Sequence, residues 1–159
     1  MSQLTSTLAT AFLPVGMAHH FRVSIDNPVY DLGTWSRVSG LQVSWNTCEY
    51  RVGDKGNQSW IIPGTTKYSN IKLSRAACFD SQTVQTWLAQ TSRNPTPLSG
   101  AITLVMASGL IPIAEWPLNE FFPIAWSISD FDADQGKAAI ETLELTHGGF
   151  LFDESLPQV

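Results

Sequence analysis

The stretch FRVSID, residues 21–26, alternates apolar and polar side chains at every position. A period of two is typical of a β-strand that buries one face and exposes the other. The same period returns in Lys67–Arg75, where Ile71 and Leu73 stand on one side and polar residues on the other. Strands of this kind favour antiparallel sheets that cover a core with one face.

Further strands are predicted along the rest of the chain. Trp35–Trp45 is expected to form a strand with a bulge or bend at Gly40, because glycine inside a strand pattern marks such places. The short strand Gln58–Ile62 is expected to end at Pro63-Gly64. The remaining strands are predicted at Ala101–Met106, Ile111–Trp116, Ile124–Ser129 and Ala139–Thr146.

One segment has the period of an α-helix instead. The positions that follow the i, i+3, i+4, i+7 spacing of an amphipathic helix are Val84, Trp87, Leu88 and Thr91. Asp80 is expected to cap this helix, and Asn94-Pro95 to end it, because the residue before proline avoids the helical region. Since one helix of about three turns cannot form a core alone, it must lie against a sheet. We therefore predict a mainly β fold, a small antiparallel barrel or sandwich of seven or eight strands with one α-helix packed on it.

The beginning of the chain is predicted to lie outside this domain. Leu4–Ala18 is largely apolar, but Pro14 and Gly16 interrupt it and the first positive side chain is Arg22, which argues against a secretory signal. No stretch reaches the roughly 18 continuous apolar residues of a membrane span. The expected division is an N-terminal arm at 1–18, a folded domain at 19–152 and a C-terminal tail at 153–159.

The composition favours a protein that assembles. Charged residues make up 14% of the chain and hydrophobic residues 43%, whereas an ordinary soluble domain has roughly 25% charged residues. A small domain with so few charges must expose uncharged surface or bury it against other copies. The alternative is a monomer covered by Ser, Thr, Asn and Gln. The net charge of −5 and the absence of a Lys/Arg run argue against nucleic-acid binding.

The two cysteines predict no disulfide framework. Cys48 and Cys78 form no CxxC motif, and we expect both to be buried as small apolar residues in a reducing compartment. A single disulfide between them remains an alternative.

A calcium-binding pattern is present but incomplete. Acidic residues occur at loop positions that an EF-hand uses, namely Asp130, Asp132, Asp134 and Glu141. Gln135 stands where the sharp turn needs glycine, Gly136 comes one residue late, and the following segment is strand-like. We interpret the segment as a solvated acidic loop and predict no metal site.

No residues form a catalytic pattern. His19, His20 and His147 make no HxxxH or HExxH pair. Ser39-Gly40 is not a GxSxG elbow, and no phosphate-binding glycine motif is present. We predict that the protein is not an enzyme and uses no cofactor.

Two features indicate surface interactions. Arg51–Asn57 is polar, contains two glycines and separates two strand patterns, which predicts an exposed hairpin tip. Tryptophan is frequent, at six residues. Trp87 and Trp126 fit core packing by their periodicity, whereas Trp35 and Trp60 border turns, so both core and interface roles stay open for them.

Several blocks in order resemble one known family, the tail-tube proteins of contractile phages and contractile injection systems. The blocks are FRVSID at 21–26, VSGL at 38–41, EYR at 49–51, Pro63-Gly64, Lys67-Tyr68, Asn70, Leu73, Arg75, the helix around Trp87, Trp116, Asn119, Pro123, IETLEL at 140–145 and His147. The resemblance extends from about residue 20 to residue 150.

The resemblance implies a structural role in an inner tube. Six copies would form a ring whose strands join into one β-barrel around a lumen, and rings would stack inside a contractile sheath. The implied partners are further copies of the chain, sheath protein, baseplate and cap proteins, and effector cargo in the lumen. Assembly would occur in the cytoplasm, with possible release as an extracellular particle.

The resemblance also implies contact residues between subunits or rings. They are Glu49, Tyr50, Arg51, Asp54, Lys55 and Lys67, together with the N-terminal arm. Their role would be geometric and electrostatic docking, with no bond made or broken.

Other functions stay open. Within the family, the chain could be a tube-initiator ring, a phage tail tube that conducts DNA, a type VI effector tube or the tube of a non-contractile phage. A different class is a monomeric ligand-binding β-barrel whose tryptophans line a pocket. A hydrolase is disfavoured because no nucleophile–base pattern is present.

Overall fold

The computed structural model describes residues 20–26, 30–51, 53, 56–106, 111–130, 134 and 136–151. The predicted arm at 1–18 and tail at 153–159 lie outside them. Within the described residues the chain forms nine strands and one helix: β1 His20–Ile25, β2 Asp31–Trp35, β3 Arg37–Ser39, β4 Val43–Arg51, β5 Ser59–Tyr68, β6 Ile71–Ala76, α1 Asp80–Arg93, β7 Leu98–Val105, β8 Pro112–Ile128 and β9 Ile140–Thr146. The prediction of a mainly β fold with one helix is confirmed.

The strands form two sheets, in which every pair is antiparallel. Seven strands make one sheet in the order β2-β1-β7-β8-β9-β6-β3. We call this sheet with its helix the body. Among the strands that the structure describes, β4 and β5 pair only with each other, and we call them the ribbon.

The edges of the large sheet carry two strands that are neighbours in the chain. Only Ser36 separates β2 from β3, yet β2 pairs with β1 and β3 with β6 at opposite ends of the sheet. The Ser36 N–H donates to the Ser74 carbonyl oxygen at 3.1 Å, which brings the β2–β3 segment beside β6. Among the described strands no ladder joins β2 to β3, so the sheet is not a closed barrel.

The core lies between the helix and one face of this sheet. Its members include Val23 and Ile25 from FRVSID, the pattern that predicted β1. Val84 and Trp87 of α1 are buried against it, and the Trp87 ring lies 6.2 Å from the Phe121 ring between centroids. The predicted helical stripe is therefore confirmed.

The helix start differs from the prediction. Asp80 is the first helical residue, and no side chain caps the helix; the residue at the cap position is Phe79. The Ser81 hydroxyl accepts a hydrogen bond from the Cys78 N–H at 3.1 Å instead. The predicted end is correct, since the helix finishes at Arg93 before Asn94.

Two predicted strands are parts of one longer strand. Most of Ile111–Trp116 and Ile124–Ser129 belongs to β8, Pro112–Ile128, and Leu118 and Phe121 between them are buried in the core. The strand bends there, with Glu120 at φ 45° and a register shift after Pro123.

The ribbon also runs through a predicted stop. Pro63-Gly64 does not end a strand, because β5 continues to Tyr68 and a register shift opposite Trp45–Thr47 accommodates the proline. An added Cβ at Gly64 would lie 2.8 Å from the Asn46 carbonyl oxygen, so only glycine fits this bulge. The predicted strand Lys67–Arg75 is interrupted between β5 and β6.

The bend predicted at Gly40 is present. It separates β3 from β4, with φ at +88°, and an added Cβ would lie 1.9 Å from the Asn70 carbonyl oxygen. Because the chain turns there, Trp35 is buried while Trp45 is exposed, although the sequence gives them the same parity.

Both cysteines are free and exposed, in contrast to the predicted burial. Cys48 lies on the ribbon, and Cys78 lies in the loop before α1. The two mispredictions have different causes: Cys48 lies within β4, where every residue from Ser44 to Arg51 is exposed, whereas Cys78 lies in a loop beyond the end of the core-facing strand β6.

Candidate inter-subunit surface

The ribbon carries large apolar side chains in contact with solvent. Among the described strands neither β4 nor β5 has a second neighbour, so each has an edge with no partner strand. Tyr50, Trp60 and Ile61 are 62%, 61% and 65% exposed. An accessible strand edge beside apolar side chains is a template for pairing with another chain. The ribbon is therefore the candidate inter-subunit surface.

The far half of the ribbon has two different faces. Residues directly opposite in a ladder share a face, and successive residues of a strand alternate between faces. Cys48 pairs with Ile62 and Tyr50 with Trp60, and we call these four residues the apolar tip face. The residues of the other side, which we call the mixed tip face, are Thr47, Glu49, Arg51, Ser59, Ile61 and Pro63.

The base of the ribbon is anchored to the body by aromatic rings. Ring centroids of Tyr68 and His147 lie 5.4 Å apart, and those of Tyr68 and Phe150 lie 5.2 Å apart. Nε2 of His147 lies 3.0 Å from the Ser69 carbonyl oxygen. Burial lowers the pKa of His147, and the hydrogen bond with the Ser69 backbone offsets this only in part. The neutral imidazole therefore belongs to the anchor.

The predicted contact residues do not form one cluster. Glu49, Tyr50 and Arg51 lie together near the tip, with Tyr50 on the apolar tip face and the two charges on the mixed tip face. Lys67 pairs with Ser44 near the base, seven positions along β4 from Arg51, which is roughly 23 Å at the rise of a strand. Asp54 and Lys55 lie outside the described residues.

Sequence reasoning missed several exposed apolar residues of the ribbon. They are Trp45, Ile61 and Ile62; for Trp60 a core role and an interface role had both stayed open. One signal was available: three consecutive apolar residues, Trp60 to Ile62, stand beside a polar hairpin tip, and such a run puts apolar groups on both faces of a strand. A two-faced apolar strand needs protein on both sides, which one small domain cannot supply.

A buried ion pair closes the gap between β2 and β6. Arg75 is 4% exposed and its Nε donates to Glu141 Oε2 at 2.7 Å. Its Nη1 donates to the carbonyl oxygens of Leu32 at 2.7 Å and Thr34 at 3.3 Å. The guanidinium carbon lies 4.0 Å from the centroid of the Trp35 ring. One side chain thus binds the backbone of β2 where the sheet has no ladder.

Glu141 is fully buried and accepts three side chains. Besides Arg75, it accepts hydrogen bonds from Trp126 Nε1 at 2.9 Å and Ser81 Oγ at 2.7 Å. Burial alone would raise the pKa of Glu141, but hydrogen bonds from Arg75, Trp126 and Ser81 and the charge of Arg75 lower it below its ordinary range. The assignment of Glu141 to a solvated acidic loop was therefore wrong. Phe131 to Ala133 and Gln135 lie outside the described residues.

The pairing of Arg75 with Glu141 could have been inferred from the alternation of residues in the two strands. Arg75 follows Ile71 and Leu73 at even spacing, and Glu141 precedes Leu143 and Leu145 in the same way. A charged residue on the core face of a strand needs an opposite charge nearby, and β6 and β9 pair Arg75 with Glu141 directly.

Other kinds of site find little support in the described ranges. No group of three or more His, Cys, Asp or Glu there is placed to hold a metal ion. No described helix is long and apolar enough to cross a membrane. Trp35 and Trp87 are each 1% exposed and fill the core, which resolves the open assignment of Trp35.

Comparison with known proteins gives one family. Residues 17–151 match the family described as T4-like virus tail tube protein gp19. Comparison with curated protein sequences gives no match.

Solved structures with the same fold come from contractile particles. The chain is 24% identical, with a TM-score of 0.71, to a chain of the sheath–tube complex of the extracellular contractile injection system PVC in its extended state, covering 90% of this chain and 93% of that one. It is 21% identical, with a TM-score of 0.65, to a chain of the anti-feeding prophage baseplate, covering 86% and 93%. It is 22% identical, with a TM-score of 0.65, to a chain of the anti-feeding prophage cap, covering 83% and 85%. These likenesses establish the fold.

Proposed function

The chain belongs to the tail tube family of the T4-like virus protein gp19, and we propose that it is the inner-tube subunit of a contractile, phage-tail-like injection particle. Its role in this proposal is structural: it forms a wall around a lumen, and it makes or breaks no covalent bond. The observation that carries the proposal is the exposed ribbon, with an accessible edge on both strands and apolar side chains on a projecting surface.

The ribbon gives a physical reason for ring formation. An isolated two-stranded hairpin is only marginally stable in water, and free edges favour pairing with other chains. If β5 of one copy pairs with an edge of the next copy, the contact is head-to-tail. Repeating such a contact gives a ring when the rotation between successive copies returns to the first copy. We propose six copies to a ring, strands joined into a continuous barrel, and rings stacked into a tube.

Charged residues of the ribbon are proposed to guide docking. Glu49, Tyr50 and Arg51 lie near the tip, where a projecting hairpin meets a neighbouring copy or ring. Lys67 lies nearer the base and would contact a neighbour of the same ring. Asp54 and Lys55, in the polar segment between β4 and β5, are proposed to extend the tip contact.

The proposed partners follow from the particles that hold similar chains. Those chains belong to a sheath–tube complex, a baseplate and a tube-terminating cap. We propose that this chain likewise contacts sheath protein outside the tube, and baseplate and cap proteins at its ends. Assembly in the cytoplasm, release of the particle and effector cargo in the lumen complete the proposal. A tube-initiator ring or a DNA-conducting phage tube would use the same ribbon.

The domain division supports the same scheme. The matched residues begin at 17 and end at 151, close to the proposed domain at 19–152. We propose that the arm at 1–18 docks on a neighbouring copy.

Electron microscopy of the purified protein tests this function. We expect rings or tubes with a central channel, and light scattering after gel filtration should give a mass that is a multiple of 17.5 kDa. A compact monomer at millimolar concentration would contradict the proposal.

A further inference from the structure

One aromatic ring projects from the body into solvent. Phe79 lies in the loop between β6 and α1 and is 94% exposed. The Ala77 N–H in this loop donates to the Ala139 carbonyl oxygen at 2.8 Å. The Cys78 N–H donates to the Ser81 hydroxyl at 3.1 Å. Because these bonds already order the loop, the ring can enter another surface at a small cost in conformational entropy.

The surroundings of Phe79 favour contact with an apolar surface. None of the residues that line the shallow hollow beside the ring is charged; they are Ala77, Cys78, Phe79 and Gln82. The carboxylate of the neighbouring Asp80 is directed to its own chain, with Oδ2 4.0 Å from Arg75 Nη1. A second molecule can therefore cover the ring without burying an unpaired charge, which would be costly.

An apolar groove of about 490 Å³ lies between the second half of α1 and β8. No described residue that lines it is charged, and its apolar lining includes Leu88, Phe122 and Ile124. Ile124 is 50% exposed, so the groove is open to another molecule. The hydroxyls of Thr91 and Ser92 in its wall each donate to the carbonyl oxygen four residues before, at 2.9 Å. Since their donors are used within the helix, the groove suits an apolar side chain.

Phe79 cannot fill the groove of its own chain. The helical residues that line the groove run from Leu88 to Ser92, nine to thirteen residues beyond Phe79. At a rise of 1.5 Å per residue, the ring lies roughly 14–20 Å from them along the helix axis. The ring and the groove therefore stand at opposite ends of one helix, as the two halves of a head-to-tail contact would.

We infer that Phe79 of one copy inserts into the groove between α1 and β8 of a second copy, as a contact additional to the ribbon. A second copy is the occupant because every copy carries both halves, and both are uncharged. An apolar side chain that fits a pocket elsewhere on the same molecule gives a contact that repeats from copy to copy.

This inference rests on the proposed tube function. A buried aromatic ring covers about 150–250 Å², far less than the roughly 800 Å² per partner of a stable interface. The contact of Phe79 therefore does not hold two copies together alone, and it forms where the ribbon has already brought them together.

Cross-linking between two kinds of copy tests the contact. The chain has two cysteines, so Cys48→Ser leaves Cys78, beside Phe79, as the single thiol of the first copy. In the second copy Ser92→Cys is combined with Cys48→Ser and Cys78→Ser, which places the single thiol in the groove. The two are co-assembled without other proteins and treated with bis-maleimidoethane, and mass spectrometry identifies the linked peptides. Because each copy has one thiol, every link joins two copies.

Thr86→Cys in place of Ser92→Cys is the matched control. Thr86 is also exposed on α1, and its hydroxyl also donates to the carbonyl oxygen four residues before at 2.9 Å, but it does not line the groove. We expect about tenfold more linkage of position 78 to position 92 than to position 86, because docking raises the effective concentration of the two thiols.

A change at Phe79 itself shows whether the ring makes the contact. Phe79→Ser in the first copy should reduce linkage to position 92 to the level of the control, whereas Phe79→Trp should keep it. Both variants should fold, since substitution of an exposed residue has a small effect on stability.

The results separate this inference from the function on which it rests. Particles with equal linkage to positions 86 and 92, or with linkage to position 92 that Phe79→Ser leaves unchanged, would overturn the contact while the tube function stands. Particles linked mainly through two Cys78 thiols would indicate a symmetric contact and would also overturn it. A protein that never assembles, seen by microscopy and sedimentation, would overturn the tube function and this inference with it.

Discussion

The body and the ribbon are both built from antiparallel strands with apolar residues, but they differ in whether their own chain buries those residues. In β6 the alternation of Ile71, Leu73 and Arg75 with polar residues directs one face into the core. In β5 the residues from Trp60 to Ile62 are all exposed. The strands of the body find their partners within the chain, and the ribbon has apolar surface that its own chain leaves uncovered. Folding and assembly are therefore assigned mainly to different regions, which mutations can separate.

The largest expected effect is in the body, at the ion pair. Arg75→Ala removes the partner of buried Glu141 and the hydrogen bonds to β2, so we expect unfolding free energy to fall by about 3–5 kcal/mol. Urea unfolding followed by tryptophan fluorescence measures this. Arg22→Ala, which breaks the exposed pair with Asp31 at 2.8 Å, is the matched control, with an expected loss of about 0–1 kcal/mol. Equal losses of unfolding free energy in the two variants would show that Arg75 does not hold β2 and β6 together.

The next effect is on the ribbon and should leave the body intact. Trp60→Ser should change the unfolding free energy of the dissociated subunit by no more than about 0.5 kcal/mol, since exposed substitutions have small effects. It should raise the concentration needed for assembly at least tenfold, about 1.4 kcal/mol per contact, because the aromatic ring anchors the apolar tip face. Sedimentation across a concentration series measures assembly. Trp87→Ala, buried on α1, is the opposite case and should lose about 3–5 kcal/mol of folding stability.

A smaller effect is expected from charge at the tip. Arg51→Glu should weaken stacking a few-fold while folding stays within about 0.5 kcal/mol, because exposed charges contribute little to stability. The loss should shrink as salt rises, since exposed charges are screened. Light scattering at low and high salt gives both values. A variant that loses folding and stacking equally would contradict the assignment of Arg51 to docking.

The smallest effect concerns pH at the junction of body and ribbon. The pKa of His147 is lowered in the folded protein, whereas an unfolded histidine titrates near 6.5. As pH falls below about 6.5, His147 becomes protonated in the unfolded chain but not yet in the folded protein. The unfolding free energy should therefore fall until the pH reaches the lowered pKa of the folded protein. Unfolding at pH 7.5 and 5.5 should show a loss that His147→Gln reduces.

Glu141 acts in a separate acidic window. Its folded pKa is lowered, so its contribution is complete above the ordinary carboxyl pKa near 4.3 and is lost as pH falls further. A transition confined to pH below 4.5 in the His147→Gln variant distinguishes the two groups.

The sequence predicts the body better than the ribbon, for physical reasons. Alternation in FRVSID and the helical stripe through Val84 and Trp87 depend on burial within one chain, and both are confirmed. The strand end predicted at Pro63-Gly64 was wrong, because a bulge in the ladder lets β5 continue past a proline that has no N–H to donate. Long-range pairing is beyond local patterns: Arg75 and Glu141 are 66 residues apart, and only their parity hints at the contact.

The candidate surface was predicted in part. The polar hairpin tip predicted at Arg51–Asn57 correctly indicated exposure at Arg51. Trp60 and Ile61 could not be placed by periodicity, because apolar residues that meet a second molecule look in the sequence like core residues. Contact with a second molecule was predicted from the family resemblance, and membership of the family is confirmed.

Arg75 binds β2 through hydrogen bonds to two main-chain oxygen atoms, those of Leu32 and Thr34. Every amino acid offers such an atom, so the side chains of residues 32 and 34 take no part in the bond. The hydrogen bonds themselves therefore set no requirement on the side chains at positions 32 and 34. The side chains that β2 must keep are fixed by packing instead, because Leu32 and Trp35 are buried in the core and Arg75 lies over the Trp35 ring.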